Sequence, residues 1–153
     1  MFFSKSFGYA VRSVLYIASF QKEKRYVPLE EISGVLYLPK QFLGRVLKNL
    51  VRGKILTSCK GPTGGFMIRQ EGLKIKLISI LEITDSNRLE QCVLKAKKCN
   101  AANPCPAHDQ FSQTRDAARA FLSDTAIVDL LNDDHNSFVK ALSEINGNGK
   151  TKK

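Results

Sequence analysis

At 153 residues, with 43% apolar residues and a net charge of +10, the chain has room for one compact domain, or for a small domain plus a dimerisation element. Two large independent domains do not fit. No apolar run reaches bilayer length, and Lys5 and Arg12 interrupt an opening stretch with no small-residue cleavage site, so a soluble cytoplasmic protein without membrane contact is expected.

The charge is lopsided. Residues 1–76 hold fourteen Lys and Arg against four Glu, whereas residues 77–153 hold ten of each sign. A basic half is the electrostatic footprint of a polyanion binder, because each cation that neutralises a phosphate releases counterions; a merely solubilising basic face has the same composition.

From the N-terminus, Phe7, Ala10, Val11, Val14, Leu15 and Ala18 recur at helical spacing and predict an amphipathic helix from Ser6, its cap, to about Gln21. Val27-Pro28 opens a short helix with Leu29, Ile32 and Val35 or Leu36 inward, ending near Gly34 and Leu38-Pro39. Pro39 then suits the start of a third helix, in which Phe42, Leu43, Val46, Leu47, Leu50 and Val51 form one apolar stripe. Two helices joined by a tight turn make a helix-turn-helix. The opposite face of the third helix carries Lys40, Gln41, Arg45, Lys48, Asn49 and Arg52. Arg and Lys reach guanine edges or phosphates, and Gln and Asn pair with adenine, so this face can read a duplex; a solvated polar face is the alternative. Gly44 in the middle of that face would permit close approach to a phosphate backbone.

The β-prone runs KILTSCK and FMIR flank Gly61-Pro62-Thr63-Gly64-Gly65 and predict a hairpin, a wing beside the helix-turn-helix. Lys60, Thr63 and Gly64 are the candidate contacts at its tip, and Lys60 with Arg69 flanks it. Residues 75–84 mix both periods, with Leu77, Ile80, Leu81 and Thr84 predicting a helix after a strand-like start, and Asp85-Ser86-Asn87 marking a boundary. Residues 92–108 read as a loop. A stripe of Phe111, Thr114, Ala117, Ala118, Phe121 and Leu122 then predicts a long helix that completes the core or seals a twofold dimer. A short run, TAIVDLL, follows. His135 is expected on the surface, and the polar end is expected to be disordered.

Within the loop stand Cys92, Cys99 and Cys105, separated by six and five residues, and His108 follows after two more. A cytoplasmic chain keeps its thiols reduced, so metal binding explains the cluster better than disulfides. Zinc favours ligand pairs two to four residues apart, and neither cysteine interval is that short. Iron-sulfur clusters accept wider loops and favour thiolates, one of which a histidine nitrogen can replace. Spacing therefore favours a cluster over zinc, with a thiol redox switch third. Lys95, Lys97 and Lys98 would stabilise thiolates and offset an anionic cluster. Cys59 stands apart as a strand residue.

SFGYAVRSVLYIA, VPLEEISGVLYLPKQFLGRVLKNLVRGKIL, CKGPTGGFMI and the later Cys, Cys, Cys, His series together resemble the bacterial winged-helix iron-sulfur transcription regulators typified by IscR and NsrR, over roughly residues 1 to 131. The resemblance implies a homodimer reading palindromic double-stranded DNA, a dimer seam on the long helix, and a cluster that controls DNA affinity. It implies three cysteine ligands and a variable fourth, a histidine soon after the third cysteine in IscR-like members or a carboxylate from the partner's first helix in NsrR-like ones. His108 matches the first pattern, and no Asp, Glu, His or Cys precedes Glu23. A 2Fe-2S centre is implied by the IscR type, while three-cysteine relatives also hold 4Fe-4S clusters. Lys60, where many members carry Arg, presents a point charge rather than a bidentate fork.

The expectation is thus a mainly α fold with a small β wing: a winged helix-turn-helix domain over 1–84, a cluster loop and dimerisation helix over 85–145, and a tail over 146–153. The function expected is transcription regulation by redox, nitric oxide or iron status, the alternative being a winged-helix regulator with structural zinc or a thiol switch. An enzyme is not expected, since no nucleotide loop or acid-base pair is evident.

Overall fold

The computed structural model describes residues 3–21, 25–94, 97–131 and 133–144. The expected tail over 146–153 and Lys95 lie outside these residues, as does the side chain of His135.

Helix α1 (Lys5–Phe20) starts earlier than expected, because Ser4 rather than Ser6 is the cap: its Oγ accepts from the Phe7 amide at 3.2 Å. Helix α2 (Leu29–Leu36) ends at Tyr37 in the left-handed conformation, and Leu38 donates its amide to Ser33 O at 3.0 Å. The chain then turns directly into α3 (Lys40–Arg52), with Pro39 as the residue before its first turn. Ala10, Val14 and Ile17 of α1, Ile32 and Leu36 of α2, and Leu43, Leu47 and Leu50 of α3 are fully buried together. Each of the Val, Leu and Ile side chains contributes about 1.5–3 kcal/mol on leaving water, which is what holds the short α2 against its neighbours.

The wing is a two-stranded antiparallel sheet of β1 (Thr57–Cys59) and β2 (Gly65–Met67), in register Thr57 to Met67 and Cys59 to Gly65. Val27 adds a bridge to Phe66, with both amide bonds at 2.8 Å. This close approach needs Gly65, at φ +146°, because a Cβ there would lie 2.2 Å from Val27 O. Gln21 closes the root of the wing: its side-chain amide donates to Ile68 O at 2.6 Å and accepts from Ile68 N at 2.8 Å.

Residues 75–76 are extended, as the mixed period suggested, and α4 (Leu77–Asp85) follows with Leu77, Ile80 and Leu81 inside. The extended pair bridges to residues after α5 (His108–Asp124): Lys76 opposes Ala126, Leu77 N donates to Thr125 O and Ile127 N to Ile75 O, both at 3.0 Å. Lys76 Nζ also donates to Asp124 O at 2.7 Å, capping the end of α5 with a cation. Of α5 itself only Leu122 is buried, and Phe121 beside it is 53% exposed. The stripe on α5 therefore contributes little to the core of one chain.

TAIVDLL forms a short 3-10 turn over Ile127–Leu130 with Ile127 fully buried. A last helix not foreseen in the sequence, α6 (His135–Glu144), packs on α1 and α2 through Phe138, Val139 and Leu142. Leu89, Leu122, Ile127 and Leu142 join the core built by the first 84 residues. No helix among the described residues is long and apolar enough to cross a membrane.

Candidate nucleic-acid interface and cysteine cavity

The apolar stripe of α3 is turned inward, which leaves Lys40, Gln41, Arg45, Lys48, Asn49 and Arg52 all exposed on its outer face. The Arg45 guanidinium carbon lies 5.8 Å from the centroid of the Phe42 ring, one turn back, so the side chain rests along the helix edge. Gly44 is half-buried, and a Cβ there would stand 3.4 Å from Leu29 Cδ2, at van der Waals contact with α2.

Beside α3 a groove of about 350 Å³ runs to the wing, and Lys48 from the helix and Lys60 from the wing both line it. Thr63 is exposed in the turn, which is closed by Gly64 N donating to Gly61 O at 3.0 Å. Gly64 itself is buried, and a Cβ there would lie 2.2 Å from Cys59 O, so the hairpin accounts for the glycine without a ligand. Arg69 does not share the groove with Lys60; it lines a separate hollow with Lys54 and Glu71. Cys59 is an exposed strand residue.

Sequence reasoning missed Glu30 in this face. Its Oε1 accepts from Lys40 Nζ at 2.7 Å, and that hydrogen bond holds the Glu30 carboxyl below the usual carboxylate range. The signal was present: the basic half contains only four acids, and this one opens the first turn of α2.

The three loop cysteines meet at one cavity. Gln91 and Lys98 pair as an antiparallel bridge, with Cys92 N donating to Lys97 O at 2.9 Å and Cys99 N to Glu90 O at 2.7 Å. Antiparallel pairing puts positions 92 and 99 on one face of this small hairpin. Cys105 comes from the turn before α5, where His108 N donates to its carbonyl at 2.9 Å. A cavity of about 100 Å³ is lined by Cys92, Cys99 and Cys105 with Lys97 and Lys98. Cys105 is buried, and the other two thiols are half-buried. His108, in the first turn of α5, places Nδ1 3.2 Å from Cys99 Sγ. Lys98 Nζ also pairs with Glu90 at 2.8 Å, and its hydrogen bond draws the Glu90 carboxyl below its ordinary range. Among the described residues no three His, Cys, Asp or Glu side chains converge closely enough to hold a single metal ion.

A helix-turn-helix whose second helix presents amides and cations, flanked by a basic wing, defines a winged-helix DNA-binding protein. The model of the Rrf2 family, described as an iron-dependent transcriptional regulator, matches residues 3–133, and the chain belongs to that family. A protein of Aquifex aeolicus (strain VF5) named as an HTH-type transcriptional regulator is 35% identical over 135 residues, covering 86% of this chain and 92% of that one. The HTH-type transcriptional regulator IscR of Photorhabdus laumondii is 23% identical over 124 residues, 81% of this chain and 75% of the relative. Among solved structures, CymR (YrzC), the global cysteine regulator of B. subtilis, shares the fold with a TM-score of 0.68 at 17% identity, covering 83% of this chain and 93% of that one.

Proposed function

We propose that this transcription regulator binds a palindromic operator as a homodimer, and that an iron-sulfur cluster held by Cys92, Cys99, Cys105 and His108 controls its DNA affinity or site preference. The observation that carries the cluster is the convergence of three cysteines, spread over fourteen residues, on one lysine-lined cavity with a histidine nitrogen at its edge. The donor set fits such a group. Three soft thiols and an imidazole match its ligand chemistry, Lys97 and Lys98 offset its negative charge, and Cys105 sits out of water. The six- and five-residue intervals between the cysteines support a multi-atom cluster over a single zinc ion, whose ligands favour pairs two to four residues apart. Bound there, the group would supply one-electron chemistry and sensitivity to its own loss. A 2Fe-2S centre suits three thiolates and one histidine; 4Fe-4S is the other cluster type in view.

The chain's own residues make the connection to DNA. Residues 1–84 form the DNA-binding unit in this proposal, and 85–145 the cluster loop and dimer helix, with α6 folded back on α1 and α2. On α3, Arg45, Gln41 and Asn49 are the base-reading candidates; Lys48, Arg52, Lys60 and Thr63 serve phosphates, Lys40 is a further phosphate candidate that is paired with Glu30, and Gly64 shapes the wing. Ordering of the 92–105 loop fixes the start of α5, whose exposed face joins the second copy and so sets the spacing of the two α3 helices.

A structural zinc or a thiol switch is the second reading, favoured by the 3.2 Å pairing of Cys99 Sγ with His108 Nδ1, which brings a thiol and an imidazole together. Anaerobic purification followed by iron, sulfide and zinc analysis with a visible spectrum separates the readings. Iron and sulfide in equal measure with visible absorption support the cluster; stoichiometric zinc, or no metal at all, rejects it.

A further inference from the structure

The groove between α2, α3 and the wing has one carboxylate in its lining, Glu30, among the lysines that make the face basic. Glu30 lies in the first turn of α2, where the helix dipole favours an anion, and reaches across the turn to Lys40, the first residue of α3. The pair is formed at 2.7 Å with both side chains more than half exposed, so neither is needed to fill the core. A carboxylate here opposes the electrostatics of the whole face. It repels phosphate, and it occupies the ammonium that lies nearest the start of the reading helix.

We propose that Glu30 is a positioning residue that keeps Lys40 from phosphates and so lowers the protein's affinity for DNA of arbitrary sequence. This rests on the reading of α3 as the DNA-binding helix. Affinity for a random duplex comes almost wholly from phosphate contacts, so withholding one cation weakens that background. The base-reading side chains Gln41, Arg45 and Asn49 are not part of the pair, so sequence preference stays with them while the phosphate-driven affinity is lowered.

The test uses the full chain, a mixed-sequence 30-bp duplex and fluorescence anisotropy over a range of salt concentrations. Glu30→Gln should tighten binding about two- to fivefold, the range expected for freeing one surface cation from its partner. It should also steepen the salt dependence by about one phosphate contact. Glu71→Gln is the control, since Glu71 is an exposed acid of the same basic half that lines a different hollow. In a Lys40→Gln background, Glu30→Gln should lose its effect, as coupling through Lys40 demands. A gain no larger than that of Glu71→Gln, a gain that persists undiminished without Lys40, or weaker binding would overturn the proposal. Failure of the unmodified protein to bind the duplex in a salt-dependent way would instead remove the DNA-binding assignment of the face, and this inference with it.

Discussion

Replacing Phe121 with Asp tests whether α5 is a seam between two copies of the chain. Phe121 is 53% exposed while its neighbour Leu122 is fully buried, so the ring has a large surface to give to a partner and a limited role in its own core. If the second copy covers that half of a side chain of roughly 200 Å², about 100 Å² leaves water, worth about 2.5 kcal/mol at about 25 cal/mol per Å². Twofold symmetry doubles this to about 5 kcal/mol, or between three and four powers of ten in the dimer dissociation constant. Sedimentation across a concentration series should therefore show monomer at concentrations where the unmodified chain is dimeric, with unchanged far-ultraviolet circular dichroism. Leu122→Ala gives the contrast, because loss of a fully buried Leu should destabilise each chain by about 2–5 kcal/mol. An unshifted dimer in Phe121→Asp would refute the seam on α5.

Arg45→Ala, at an exposed position on α3, should cost about 1–3 kcal/mol on a selected operator and relax preference at one base pair; equal loss on random DNA would make Arg45 a phosphate contact. Ala in place of Cys92, Cys99 or Cys105 should each abolish visible absorption of the anaerobically purified protein, whereas His108→Ala should leave a labile cluster with a shifted potential. Unaltered spectra in His108→Ala would place the fourth ligand elsewhere. The Tyr16 hydroxyl, which donates to Glu31 at 2.9 Å, is pushed up to about 12 by burial and then by Glu31, from an ordinary value of 10.0. The folded chain therefore keeps that proton longer than the unfolded chain, and its contribution to stability, complete below pH 10, is lost as pH rises towards about 12. Denaturant melts of Tyr16→Phe should lack that part of the alkaline decline, and identical slopes would show that other groups govern it.

Periodic apolar residues made the three N-terminal helices legible, because Ile32, Leu36, Leu43 and Leu47 are buried by the same spacing that marks them in the sequence. The wing was legible from its glycines, and the fold adds a second requirement at Gly64, where a Cβ would meet Cys59 O. A missing Cβ can serve hairpin closure as well as phosphate approach, and the sequence pattern is the same for both. α6 escaped notice because Phe138, Val139 and Leu142 are its sparse apolar contacts with α1 and α2, too few to stand out as a periodic stripe. The cysteines were visible as a cluster from spacing. Their shared cavity depends on the pairing of Gln91 with Lys98, a tertiary fact without a turn signature. The pair of Glu30 and Lys40 spans ten positions and two helices, beyond the reach of the i, i+4 rule used to sort charges along one helix.

The bonds from Lys76, Leu77 and Ile127 fasten α5 at its C-terminal end, while its N-terminal end carries His108 at the cysteine cavity. With 17 residues the helix is about 25 Å long. In the proposed coupling it would act as a lever fastened at one end, where a tilt of about 5° sweeps the far end through about 2 Å. Settling of the cysteine end would then be felt at residues 75–77, which the 3-10 turn Gln70–Lys74 joins to the root of the wing.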